Sequence, residues 1–142
     1  MLSLLLLVSL LTVAGPSSPS PTVKHGESLS YPAMARMARV QGEVVLNVRL
    51  SERGEVVSTK VERGHPMLIQ AADDNVRHWT FEGPVVDGDT VTIIYDFRLE
   101  GLDTSGEHAY ATKTSFDFPP NRVTVTSSMP EVENVDFLPK KK

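Results

Sequence analysis

The sequence predicts an α+β fold in which a three-stranded antiparallel sheet, order 2-1-3, is covered on one face by two helices. Two observations carry that expectation. Residues 43–62 and 90–99 alternate apolar and polar side chains, the period of a half-buried strand, and a glycine turn splits the first stretch into a hairpin. Residues 32–40 and 66–79 repeat their apolar positions at spacings of three and four, as one face of a helix does.

Taken in order, the 142-residue chain divides into four parts. Residues 1–15 hold the apolar run Leu2 to Ala14, which reads as a signal peptide or a short membrane segment. As helix that run spans about 20 Å, less than the roughly 30 Å hydrocarbon core of a bilayer. Residues 16–29 open with Pro16-Ser17-Ser18-Pro19-Ser20-Pro21 and are expected to be a spacer. Residues 30–100 are the predicted domain, and residues 101–142 an extension with edge-strand character at 108–118 and 121–126, then a disordered tail.

Within the domain, Pro32 opens a helix that Gly42 ends, with Ala33, Met37 and Val40 on one face and Arg36 and Arg39 facing outward. Val44, Leu46, Val48 and Leu50 then alternate with Asn47 and Arg49, Val45 being an outward exception. Gly54 supplies the turn into a second strand carrying Val57, Thr59 and Val61. Pro66 opens the second helix, where Leu68, Ala72, Val76 and Trp79 share a face that must cover the sheet. After the loop 82–89 comes a third strand, with Val91, Ile93, Tyr95, Phe97 and Leu99 directed inward.

Composition narrows the chemistry. The net charge is −4: residues 22–63 carry seven Lys/Arg against five Asp/Glu, residues 64–137 carry four against thirteen, and three lysines close the chain, while no basic stripe interleaved with aromatics offers a site for nucleic acid. Cysteine is absent, so no disulfide, thiolate metal site or thiol nucleophile exists. The four histidines lie apart in sequence, without the paired spacing of a metal motif. Asp73 and Asp74 project about 100° apart on a helix and cannot face one another as acid and base. Asp87 and Asp89 flank Gly88 in what reads as a tight turn. With no nucleophile elbow or phosphate loop either, the expectation is a non-enzymatic protein without cofactor or metal. What the fold does offer is a sheet edge, and a strand edge can bind a partner through main-chain hydrogen bonds. Thr92, Ile94 and Asp96, pointing outward from the third strand, are the candidate partner-selecting side chains. The competing expectation is that residues 108–126 cover this edge from within the same chain.

Several motifs occur in a specific order: Tyr31-Pro32, Arg39-Val40-Gln41-Gly42, Gly54-Glu55-Val56, Pro66-Met67-Leu68, Ala72-x-x-x-Val76-Arg77-x-Trp79-x-Phe81, and Val91-x-Ile93-x-Tyr95-x-Phe97-x-Leu99. In this order they resemble the carboxy-terminal domain of TonB-type energy transducers over residues 31–99. The resemblance implies a periplasmic domain that docks on outer-membrane receptors or other envelope proteins and pairs with a short receptor segment in support of transport. It implies that Tyr31 and Pro32, with Arg36 and Arg39 nearby, shape the receptor-facing entry, and that Thr92 to Phe97 offer the pairing edge. Gly42, Gly54, Trp79, Phe81 and Phe97 are then structural. Membrane contact, or an inner-membrane anchor facing the periplasm, is expected only if the leader stays uncleaved, and a homo-oligomer is left open. The seven-residue stretch Gly15 to Pro21 reaches only about 20 to 25 Å when extended, and the leader contains no histidine. The alternative expectation is therefore a stand-alone structural or regulatory envelope domain, its edge capped by its own extension, with no role in energy transduction.

Overall fold

The alternating stretches form a hairpin of β2 (Gly42–Leu50) and β3 (Val56–Arg63) and a long strand β5 (Thr90–Leu102), paired antiparallel to the other side of β2. The structure is a computed structural model and describes residues 19–102, 112–119 and 121–130. The leader and the tail beyond residue 130 lie outside the described residues; among the described residues no helix is long and apolar enough to cross a membrane. Around the three strands stand β1 (Thr22–His25), α1 (Ala33–Met37), α2 (Pro66–Val76), β4 (Thr80–Glu82), β6 (Thr112–Asp117) and β7 (Arg122–Met129).

The fold is α+β, and the order β3-β2-β5 preserves the expected 2-1-3. The sheet is larger than expected, however. Its full order is β3-β2-β5-β7-β6, and β1 and β4 form a separate two-stranded sheet. The segment 16–29 is thus not wholly a spacer, since Thr22 pairs with Glu82 and Val23 with Phe81. Nor are the extension strands both edges. β7 runs parallel to β5, from Ile94 opposite Arg122 to Leu102 opposite Met129, and β6 lies outside it, antiparallel.

The core sits between the inner face of this sheet and the helices. Val44, Leu46, Val48 and Leu50 of β2 are fully buried, as are Ile93, Tyr95 and Phe97 of β5 and Val123 and Val125 of β7. Helix α2 buries Leu68, Ala72, Asn75 and Val76 against them. Pro66 sits in its first turn and the His65 ring accepts a hydrogen bond from the Met67 amide at 3.2 Å, satisfying one of the free N–H groups at the helix start. Helix α1 is rotated from its expected setting. Ala35 and Arg36 are buried, whereas Met34 and Met37 are about 70% exposed. The reason is the extension: the Arg36 guanidinium donates to the Ser128 carbonyl at 2.7 Å and lies 3.3 Å from its hydroxyl, which turns that side of the short helix inward.

Gly54 is fixed by close approach. Its φ is +76°, and a Cβ there would lie 2.0 Å from the Phe81 carbonyl oxygen. The Phe81 amide donates to the Gly54 carbonyl at 2.8 Å, so the hairpin turn and β4 are held backbone to backbone.

One buried polar side chain ties the layers together. Asn75 Oδ1 accepts from the Trp79 indole at 3.1 Å and the Tyr95 hydroxyl at 2.8 Å. Its amide nitrogen donates to the carbonyls of Glu27 and Ser28 at 3.2 and 3.4 Å. Burial, with the Asp73 charge second, pushes the Tyr95 hydroxyl above its ordinary value of 10.0, so it remains a neutral donor. Asn75→Ala would leave two buried donors without this acceptor. A loss of about 2 to 4 kcal/mol is expected in urea unfolding followed by Trp79 fluorescence, and an unchanged midpoint would remove Asn75 from this role.

Candidate functional site

The expected partner edge runs along Thr92 to Phe97, and within the described residues most of it is occupied. β5 is bonded on one side to β2, with Glu43 opposite Asp96 and Asn47 opposite Thr92, and on the other to β7. The pairing with β7 begins where the Ile94 amide donates to the Asn121 carbonyl at 3.0 Å and continues through Leu99. Asn121 adopts a φ of +59°, a left-handed conformation that asparagine tolerates better than most residues. It turns the chain from β6 back into the gap beside β5.

Side chains cement the contact on both faces. On the inner face Val123 and Val125 are fully buried beside Tyr95 and Phe97. On the outer face Glu43 and Asp96 sit directly opposite one another, a like-charge pair that is unfavourable by itself. Arg122, from β7, lies between them at 2.7 Å from Glu43 and 3.4 Å from Asp96. Arg63 adds a contact to Glu43 at 2.6 Å and Arg98 one to Asp96 at 2.6 Å. Two carboxylates are thus held by three guanidinium groups, one of them supplied by the extension. The hydrogen bond from Arg122 comes first among the causes that keep the Glu43 carboxyl below its ordinary value, ahead of the opposing effect of burial.

The remaining expected contact residues have inward or local duties. Tyr31 is 6% exposed, donates its hydroxyl to the Val40 carbonyl at 2.5 Å, and meets the Phe97 ring edge-on at 5.5 Å. Burial pushes that hydroxyl up to about 12. Pro32 precedes α1 and its carbonyl accepts from the Arg36 amide at 2.9 Å. Arg36 is buried against β7, and Asp96 is only 7% exposed. Arg39 is exposed, with a φ of +54° that closes α1. Thr92 is exposed and its hydroxyl donates to Asn47 at 2.8 Å, while Ile94 is half-buried. Tyr31, Arg36 and Asp96 therefore do not form an exposed entry with Arg39 and Thr92. Gly42, with a φ of +133°, and the buried Trp79, Phe81 and Phe97 stand in structural positions.

Residues 27–100 match the family profile described as the C-terminal region of the Gram-negative bacterial TonB protein, about half of the chain. The chain belongs to that family. A search of curated proteins returned no match. The matched span runs from the segment before α1 almost to the end of β5, so β6 and β7 lie beyond it. Membership makes this a TonB-type interaction domain of the Gram-negative envelope, on the periplasmic side and directed in general toward outer-membrane proteins. The chain's own extension pairs with β5, the last strand of the matched span.

Sequence reasoning missed Arg122, Ser128 and Asn75 as structural partners. Val123 and Val125, alternating with Thr124 and Thr126, carried the signal of a half-buried strand. Among the described residues no group of three or more His, Asp or Glu side chains is placed to hold a metal ion.

Because folding holds the Glu43 carboxyl below 4.5, its stabilising contribution is complete above that value and is lost as pH falls through the lower folded value. Glu43→Gln removes this term. Chemical denaturation at neutral and at acid pH should then find a smaller acid loss of stability for the variant than for the natural chain; equal losses would mean that Glu43 carries none of it.

Proposed function

We infer that this chain is a non-enzymatic periplasmic protein-interaction domain of the TonB type whose receptor-pairing edge is covered by its own extension, making it a structural or regulatory envelope domain and not a force-transmitting one. The observation that carries this reading is the parallel pairing of β7 along β5 from Ile94 to Leu99. A receptor segment adding to the same edge would have to displace Val123 and Val125 from the core and Arg122 from the two carboxylates. Burying two valines contributes roughly 3 to 6 kcal/mol, a large part of the about 5 to 15 kcal/mol stability of a typical domain. Displacement at that cost is a poor route for routine receptor docking, and it makes strand addition at Thr92 to Phe97 conditional on release of β7.

A photo-crosslinking residue at position 94, tested in cells carrying the full chain, separates the readings. Crosslinks confined to residues 121–125 of the same chain are expected. Capture of an outer-membrane receptor would overturn the capped-edge reading and restore strand addition. In parallel, deleting residues 103–142 should lower the melting temperature markedly, and an unchanged value would show that the extension does not hold the edge.

A further inference from the structure

The capping of β5 moves the sheet edge outward to β6, and the two outer strands of the large sheet differ in how that edge is finished. β3 is blunted. Its register with β2 is irregular between Val45 and Leu46 and again between Arg49 and Leu50, and such bulges twist an edge away from flat pairing. Its charges are engaged within the chain: Lys60 lies 3.0 Å from Glu62, Glu62 accepts from Asn47 at 2.8 Å, and Arg63 rests on Glu43.

β6 is finished otherwise. It pairs with β7 in unbroken register from Thr112 opposite Ser127 to Asp117 opposite Arg122, and no strand lies beyond it among the described residues. Its inner side is anchored, because Thr114 Oγ1 bonds the Leu29 amide and carbonyl at 3.2 and 3.1 Å and Phe116 packs edge-on against Trp79 at 6.0 Å. Its outer side presents Lys113, Ser115 and Asp117, all exposed. Neither Lys113 nor Asp117 has an ion-pair or side-chain hydrogen-bond partner among the described residues. Phe116 and Phe118 stay 38% and 37% exposed at the same margin.

This strand is complementary to itself. Two antiparallel copies related by a twofold axis at Ser115 place Lys113 of each copy opposite Asp117 of the other on the outer face, and Thr114 opposite Phe116 on the inner face. Moving the axis to Lys113 or Asp117 sets like charges face to face, and moving it to Thr114 or Phe116 leaves both charges without an opposite partner. We propose that β6 is a homotypic pairing edge, through which two copies of this chain join their large sheets into one continuous sheet with the axis at Ser115. The occupant is a second copy because the charge order Lys113-x-Ser115-x-Asp117 satisfies itself in that register alone. A single strand edge buries less than the ~1,000 Å² of a standing interface, so the dimer depends on concentration.

The absence of cysteine allows a direct test. Ser115→Cys would stand opposite its own copy, with Cβ atoms about 4.5 to 5.5 Å apart, near the range that a disulfide spans. Mild oxidation should yield a covalent dimer of Ser115→Cys much faster than of Ser58→Cys, an equally exposed position on β3. In sedimentation equilibrium the natural chain should dimerise with concentration, and Lys113→Asp or Asp117→Lys should each weaken association by roughly tenfold or more. Mixing these two variants should restore the dimer, because every facing charge then meets its opposite. A natural chain that stays monomeric, or two cysteine variants that oxidise at the same rate, would overturn the proposal. So would single charge variants that dimerise like the natural chain.

Discussion

A β-strand carries backbone donors and acceptors on both sides, and the fold is organised by how those of β5 are satisfied. β5 holds the largest inward side chains of the sheet, Tyr95 and Phe97, and so lies over the centre of the core. On one side β2 completes it, and that pairing belongs to the part of the chain that the TonB family profile covers. On the other side completion comes from β7, beyond the matched residues. The same strand that closes the backbone ladder brings Val123 and Val125 into the core and Arg122 between two carboxylates. Covering the edge, extending the core and relieving the Glu43–Asp96 opposition are thus one event, and removal of β7 reverses all three.

The extension is also joined to the domain away from β5. Arg36 of α1 reaches Ser128 at the far end of β7, and Thr114 of β6 bonds the backbone at Leu29. Asn75 binds the neighbouring carbonyls of Glu27 and Ser28 while accepting from Trp79 and Tyr95. The segment leading into α1 is therefore clasped from the helix layer and from the extension, and the Trp79 ring meets Phe116 and Phe118 at about 6 Å on the same side. These contacts make the outer two strands part of one folded unit with the family domain.

Much of the central fold was legible because its periods are clean. Val44 to Leu50 and Val91 to Leu99 alternate, with Val45 and Ile94 the apolar exceptions on the outward side, and Leu68, Ala72 and Val76 mark one helix face. Helix α1 was misread because it is only five residues long, too short for periodicity to decide between Met37 and Arg36 as the inward side chain. Burial of Arg36 depends on a carbonyl 92 residues away, which no local pattern encodes. The extension was underread for a related reason. β7 needs few apolar residues of its own because Tyr95, Phe97 and Leu99 supply most of that core, so its two valines among threonines looked too thin to matter. The partner edge was placed at Thr92 to Phe97 because the motif series ends at Leu99, and the competing expectation, cover by residues 108–126, is the one that the pairing of β7 with β5 resembles.

Native-state hydrogen exchange at the Ile94 amide tests the central claim most directly. This amide points away from β2 toward the Asn121 carbonyl, so its protection depends on β7 alone. Exchange as slow as that of amides in the middle of the β2–β5 ladder is the result expected of an edge held closed in the free chain. Exchange at the rate of an exposed loop would mean that β5 is an open edge after all.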